Sequence, residues 1–219
     1  PTPSVPFEVI HLDHKGPLPL SNGFSHVLVV VCALTRFTLY IPVADATAKT
    51  TLGALRDSVF SIFGNPLVVI SDNGTAFANK LMQAAEKLYG YRQIFALPHT
   101  PQANGLAEAA VKKLKIMLDR HTFDYHGWHQ VLGMAQSAVN QRVSSTSKES
   151  PFAALFGRQP ITLSAMENPS LLPTFSSEEK SIKELAYAMT RLHRRLQEEV
   201  DAVKDVAAHS GQQLSARGR

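Results

Sequence analysis

Leu67-Val68-Val69-Ile70-Ser71-Asp72-Asn73-Gly74-Thr75-Ala76-Phe77 is the stretch on which the fold turns. Leu67 to Ser71 is a short apolar run without polar alternation, the pattern of a strand buried in the middle of a sheet. Asp72-Asn73-Gly74 is turn sequence, since Asp and Asn satisfy their own backbone there and Gly relaxes the geometry. Ala76 to Tyr89 then has a helical reading ended by Gly90, and Tyr91 to Leu97 is a further strand. Helix alternating with strand is the mark of an α/β fold.

Working outward, Phe7 to Asp13 alternates and is rich in β-formers. Ser25 to Leu34 and Arg36 to Val43 are longer apolar stretches joined at Thr35-Arg36, so three consecutive antiparallel strands precede the helical part. Ala46 to Phe63 carries Leu52, Leu55, Val59, Ile62 and Phe63 at helical spacing and stops at Gly64-Asn65-Pro66. The sheet is therefore mixed. Downstream, Asn104 to His121 and Trp128 to Gln141 read as helices, with Asn104 or Gly105 near the start of the first. Ser144 to Pro151 is a polar loop, Phe152 to Phe156 a short helical turn, and Gly157 to Pro160 a stop.

Residues 161–174 read as irregular chain. Ser176 or Ser177, backed by Glu178 and Glu179, suits the N-cap of a last long helix towards Ala208. Its apolar positions Ile182, Leu185, Met189, Leu192, Leu196, Val203 and Val206 form a narrow seam, which either packs on the domain or pairs with another chain. The expected organisation is a linker over 1–6, a core over 7–160, a connection with long helix over 161–209, and a disordered tail over 210–219.

Composition narrows the classes. With 219 residues the chain can build one sizeable core. Its longest apolar run, Val27 to Leu34, is too short to span a bilayer, which takes about 20 residues, so no membrane role is expected. A single cysteine, Cys32, excludes a disulfide framework and cysteine-rich zinc sites, and it sits in an apolar run as a core thiol would. The pairs His11/His14 and His126/His129 lack the further ligands a tetrahedral zinc site needs. The net charge of +4 is modest support for a polyanionic partner. The opening Pro1-Thr-Pro-Ser-Val-Pro6 has no basic-then-apolar pattern and reads as a linker, as though the chain were cut from something larger.

Three acids carry the chemistry. Asp13 falls at the end of the first strand, Asp72 directly after the buried strand, and Glu108 in the first turns of a helix. If the two strands are neighbours and the helix start lies over their ends, three carboxylates converge. Packed carboxylates raise one another's proton affinity, and hard cations such as Mg²⁺ relieve that repulsion. Two such ions about 3.5–4 Å apart can serve an in-line displacement at phosphorus without a protein nucleophile. Each acid alone also has a plain reading as a turn, cap or solvated residue.

The blocks Asp13 to Pro19 (Gly16-Pro17-Leu18-Pro19 at its end), Ser71 to Phe77, and Pro98-His-Thr-Pro-Gln-Ala-Asn-Gly-Leu-Ala-Glu108 resemble the three signature segments of the integrase catalytic core of retroviruses and LTR retrotransposons. The thirty-five residues between Asp72 and Glu108 match as well. Trp128-His129, Ala138-Val139-Asn140 and Ser150 to Pro160 resemble the gypsy-type branch in particular. The resemblance covers roughly 7–160 and implies a ribonuclease-H-like fold, a five-stranded mixed sheet flanked by helices. It implies an enzyme that trims element or viral DNA ends and joins them to target DNA, with Asp13, Asp72 and Glu108 as catalytic, metal-binding acids and Mg²⁺ or Mn²⁺, two ions, as cofactor. It further implies double-stranded DNA as partner, self-association, and action in the nucleus and in virus-like particles. Ala109 departs from the family's frequent Arg and Ala107 from its Thr.

DNA contacts are sought around Glu108. Glu108, Lys112 and Lys115 share one helix face, where the lysines either hold phosphates of a DNA end or form a solvated face. Gln102 and Asn104, in the segment from His99 to Gly105 expected to order on DNA, are candidates for contacts to bases or backbone. Asn73 either contacts DNA or completes its turn. His99 is a loop hydrogen-bonder rather than a needed base. Two rivals stand beside the integrase reading. One is a host-adopted relative kept as a DNA- or protein-binding scaffold, which the intact acids weigh against. The other is a nuclease on RNA–DNA hybrids, opposed by Gln102, Asn104 and Lys112.

Overall fold

The computed structural model describes residues 2–96, 104–121, 127–145 and 147–160, together with Arg194 and Glu198. The expected C-terminal seam, the tail and Gln102 lie outside the described residues. Five strands form one sheet: β1 (Val9–Lys15), β2 (His26–Cys32), β3 (Thr38–Val43), β4 (Val68–Ser71) and β5 (Arg92–Phe95), in the order β3-β2-β1-β4-β5. β1, β2 and β3 pair antiparallel, whereas β4 runs parallel to both β1 and β5. The mixed sheet expected from the sequence is the one observed. β4 is an interior strand, but β1 is the central one, and only Val69 and Ser71 of β4 are fully buried.

Two apolar cores form on opposite faces of the sheet. On one side Ile10, Leu12, Leu28, Val30 and Cys32 pack with Leu55, Val59, Phe60, Phe77 and Met82. These come from α1 (Ala48–Leu55) with its continuation, from the turn after β4, and from α3 (Lys80–Tyr89). On the other, Val27, Val29, Val31 and Tyr40 meet α4 (Gly105–His121) and α5 (Trp128–Gln141) through Leu114, Leu118, Trp128 and Leu132. Each fully buried leucine of this layer contributes about 1.5–3 kcal/mol over its exposed state. The alternation of β1 and β2 thus serves two layers, which is why Val27 to Leu34 reads as continuously apolar.

The first helix differs from a plain α-helix. α1 passes through a π-helical turn at Arg56–Phe60 into α2 (Ser61–Phe63), ending at Gly64 with φ 82°. The helix expected from Ala76 begins later, because Thr75 and Ala76 belong to the turn. Asn79 caps α3, its Oδ1 accepting from Met82 N at 3.0 Å while its Nδ2 donates back to Thr75 and Ala76 carbonyls. α6 (Pro151–Phe156) starts at Ser150, whose hydroxyl accepts from Ala153 N, and stops at Gly157.

α5 does two further things. Asn140 bonds both backbone groups of Thr38, at 2.8 and 2.7 Å, and Gln136 Oε1 accepts from Tyr40 N, so α5 occupies the outer edge of β3 and satisfies it. At its other end Trp128 Nε1 donates to Pro19 O, and His129 Nδ1 pairs with Ser21 Oγ. These contacts tie down the connection that leaves β1 after Lys15. No helix among the described residues is long and apolar enough to cross a membrane.

Candidate active site

The register of the sheet brings Asp13 and Asp72 together. β1 and β4 are parallel with His11 opposite Ile70, so two residues further on Asp13 comes level with Asp72, just past the end of β4. Asp13 lies opposite Val29, on the face of the sheet covered by α4, and Glu108 sits in the first turn of that helix. α4 packs on β1 and β2, and Tyr40 Oη donates to Ala110 O at 2.9 Å, which fixes the helix start from β3. Asp13 is half-buried within β1, two residues before its end, whereas Asp72 and Glu108 are exposed.

The electrostatics carry the same message. The Asp13 carboxyl is pushed up to about 6, first by burial and then by the negative charges of Asp72 and Glu108, against the His14 N–H that donates to its Oδ1 at 2.7 Å. Asp72 and Glu108 therefore both act on Asp13. Among the described residues no three His, Cys, Asp or Glu side chains stand close enough to grip an ion between them. The donor set itself, all carboxylate oxygen, is of the kind that Mg²⁺ and Mn²⁺ take, and the neighbouring histidines do not join it.

Each acid has its own mount. Asp72 Oδ1 accepts from Gly74 N at 3.0 Å, and a Cβ on Gly74 would stand 2.9 Å from that oxygen, so a side chain there would push the Asp72 carboxylate aside. Gln93 on β5 braces the two ends of the turn, its Nε2 donating to Ser71 Oγ at 3.2 Å and to Phe77 O at 3.3 Å. Its own N–H is held by Glu86. The His14 ring, next to Asp13, stacks on Phe77 with centroids 5.0 Å apart and meets Thr51 Oγ1 through Nε2. Burial and the nearby His26 charge hold His14 down at about 4, so it is neutral in ordinary buffers. Gly16 admits no side chain, since a Cβ there would come within 2.1 Å of the His26 ring.

The expected DNA-contact residues divide. Lys112 and Lys115 are exposed on α4 along the side that carries Glu108, and Asn73 is exposed in the Asp72 turn. Asn104 is placed differently. It is only 4% exposed, its Nδ2 donates to Leu12 O, and its own carbonyl accepts from Glu108 N. In this position it fastens α4 to β1, because the strand's backbone acceptor lies nearer to it than solvent does. His11 and Gln93 were not among the expected site residues. His11 interrupts the apolar run Val9-Ile10-His11-Leu12, a break in pattern that a reading of the sequence could have used, whereas Gln93 follows Arg92 in β5 and sends no such signal.

Residues 3–101 match the family model described as integrase core domain. This chain carries an integrase core domain. It is 33% identical over 156 residues to the Pro-Pol polyprotein of simian foamy virus type 3, covering 71% of the chain and 14% of the polyprotein. It is 27% identical over 170 residues to the transposon Tf2-3 polyprotein of Schizosaccharomyces pombe, covering 75% of the chain and 12% of that protein. The chain thus spans about one seventh of the curated polyproteins it matches. Among solved structures, the HTLV-2 integrase catalytic core domain in complex with magnesium, in a trimeric form, superposes with a TM-score of 0.54 at 18% identity over 68% of this chain and 95% of that one. A simian T-cell lymphotropic virus intasome in complex with a PP2A regulatory subunit gives 0.59 at 18% identity, over 81% of this chain and 60% of that one. The ribonuclease-H-like fold is thereby shared with integrase cores.

Proposed function

We propose that this integrase core is catalytically competent: it trims the 3′ ends of element or viral DNA and joins them to target DNA, with Asp13, Asp72 and Glu108 as the acids that hold two Mg²⁺ or Mn²⁺ ions. The observation that carries the reading is geometric: strand register sets Asp13 level with Asp72, and Glu108 sits in the first turn of the helix covering the same face, while the Asp13 carboxyl is raised first by burial and then by both other acids. Ions held there would activate the attacking oxygen and stabilise the leaving one. The chain's own part is to fix Asp13 by strand register, to present Asp72 on a braced turn, and to deliver Glu108 from a docked helix. Lys112 and Lys115 extend the Glu108 face as point charges for phosphates, and Asn73, in the Asp72 turn, and Gln102, in the sequence just before α4, are the further DNA contacts. Asn104 acts beneath that surface.

Double-stranded DNA, a second copy of the protein, and the nucleus as place of action follow from the reaction, because two DNA ends must be held together and joined to a duplex. The pattern from Trp128 to Pro160 supports a position near the gypsy-type branch, which a tree of aligned cores tests. The test of activity is strand transfer on oligonucleotide DNA ends with Mg²⁺ or Mn²⁺, using the full protein that carries this chain beside its Asp72→Asn form. Joined product is expected from the first and none from the second. A protein that binds the DNA and joins nothing would favour a scaffold.

A further inference from the structure

Two buried side-chain atoms among the described residues lack a hydrogen-bond partner, His11 Nδ1 and Asn104 Oδ1. Such orphans are few in a folded protein, and each calls for an explanation. One is a ring nitrogen able to carry a proton, and the other is a carbonyl oxygen that only accepts. They belong to side chains 7% and 4% exposed, and the Asn104 amide donates to the carbonyl of Leu12, the residue that follows His11 on β1. His11 precedes Asp13 by two residues on β1, and Asn104 precedes Glu108 by four, at the start of α4.

We infer that His11 and Asn104 form a latch, in which the Nδ1–H tautomer of His11 donates to Asn104 Oδ1 and seats the Glu108 end of α4 against the Asp13 strand. The orientation of the amide follows from Leu12. Its carbonyl takes the Asn104 N–H at 3.1 Å, and turning the amide over would set two carbonyl oxygens against each other. Oδ1 is therefore the atom left for His11, and an oxygen that cannot donate obliges the ring to bring the proton on Nδ1. With Leu12 alone, the amide pivots about a single bond. With His11 as well, it is held at two points, and Glu108, whose N–H rests on the Asn104 carbonyl, is held with it. Both are positioning residues: neither reaches the reacting atoms.

The latch depends on the proposed metal role of Asp13 and Glu108 for its consequence and not for its existence, so two readouts are needed. The first is ¹⁵N NMR of His11 in this chain without metal or DNA. A neutral ring with a slowly exchanging proton on Nδ1 is expected, and that protection disappears in Asn104→Leu. A ring protonated on Nε2, or a rapidly exchanging Nδ1 proton, overturns the latch. The second is calorimetric titration with Mg²⁺ alone. His11→Phe and Asn104→Leu should each weaken binding about tenfold, as losses behind a metal ligand do. The double variant should be no weaker than the worse single one, and His11→Gln, whose amide can donate, should bind as the parent does. Full Mg²⁺ affinity in a folded His11→Phe also overturns it. If the parent takes up no Mg²⁺ while its His11 proton is locked on Nδ1, the latch stands and the metal reading falls.

Discussion

The two carboxylates that share a level in the sheet are mounted in opposite ways. Asp13 belongs to the central strand, is half-buried, and has α4 across its face. Asp72 stands exposed on a turn whose ends are stapled from β5, an edge strand. The contrast teaches that one acid is fixed by the fold and the other by a local brace. Charge is costly at the first position and nearly free at the second.

The largest effect should erase that contrast. Asp13→Asn and Asp72→Asn are each expected to lower strand transfer by roughly 10³-fold or more, because electrostatic stabilisation by a bound metal is worth several kcal/mol. Strand-transfer yield on oligonucleotides measures both. If Asp72→Asn kept substantial activity while Asp13→Asn lost it, the two acids would not belong to one centre.

Stability should separate them again. Without metal, Asp13→Asn is expected to raise the midpoint of urea unfolding, since it removes a half-buried charge that Asp72 and Glu108 oppose. Asp72→Asn should stay within about 0.5 kcal/mol of the parent, as exposed substitutions do. Mg²⁺ at ten times its dissociation constant should stabilise the parent by about 1.4 kcal/mol and neither variant comparably. Equal urea midpoints for the two metal-free variants would remove the difference in mounting. Breaking the brace instead, Gln93→Leu should cost about 1–3 kcal/mol through the polar groups it leaves, in proteins with either Asp or Asn at 72.

pH sharpens the same comparison. His11 and His14 are both held down at about 4, His11 chiefly by burial. The unfolded chain therefore binds more protons at these sites, and the stability they contribute is present above about 6.5 and lost as pH falls towards 4. Asp13 acts in the other sense: its carboxyl, raised to about 6, takes up a proton in the folded state first, so its penalty at neutral pH is relieved on acidification. Two groups oppose one, and metal-free stability should fall between pH 6.5 and 4. In Asp13→Asn the fall should be steeper, visible as a larger drop in Tm over that window. A shallower drop would mean that the fold lowers the proton affinity of Asp13 below its unfolded value instead of raising it.

How far this was legible in the sequence depends on which physical signal each part sends. The strands from Val9 to Val43 and the helix from Trp128 to Gln141 follow from apolar periodicity, which burial dictates directly. The places of Asp72 at a turn and Glu108 near a helix start follow from the residue preferences of turns and helix starts, whereas the role proposed for them rests on the resemblance to integrase cores. The start of α3 was misjudged by four residues, since Asn79, a cap, sits inside a stretch whose apolar residues Ala76 and Phe77 pack as a turn. Asn104 looked like a loop residue facing DNA because nothing local discloses that Leu12, ninety-two residues earlier, supplies its acceptor. Pairings across the sheet, such as Gln93 with Ser71, or Asn140 with the edge at Thr38, are likewise set by register and topology.

The smallest predicted effect concerns the rim beyond Glu108. Lys112→Ala and Lys115→Ala leave the packed face of α4 untouched, since Ala110, Leu114 and Leu118 carry it, so thermal stability should not change measurably. If each lysine neutralises one phosphate, each substitution should weaken binding of any duplex alike and reduce the slope of log affinity against log salt by about 1. Lys113, one position round the helix, serves as the control and should leave the slope unchanged. A loss confined to one DNA sequence would assign these lysines to reading bases, and an unchanged slope would return them to the solvated surface. In the second outcome Glu108 would be left as the sole member of its helix face proposed to meet the DNA end.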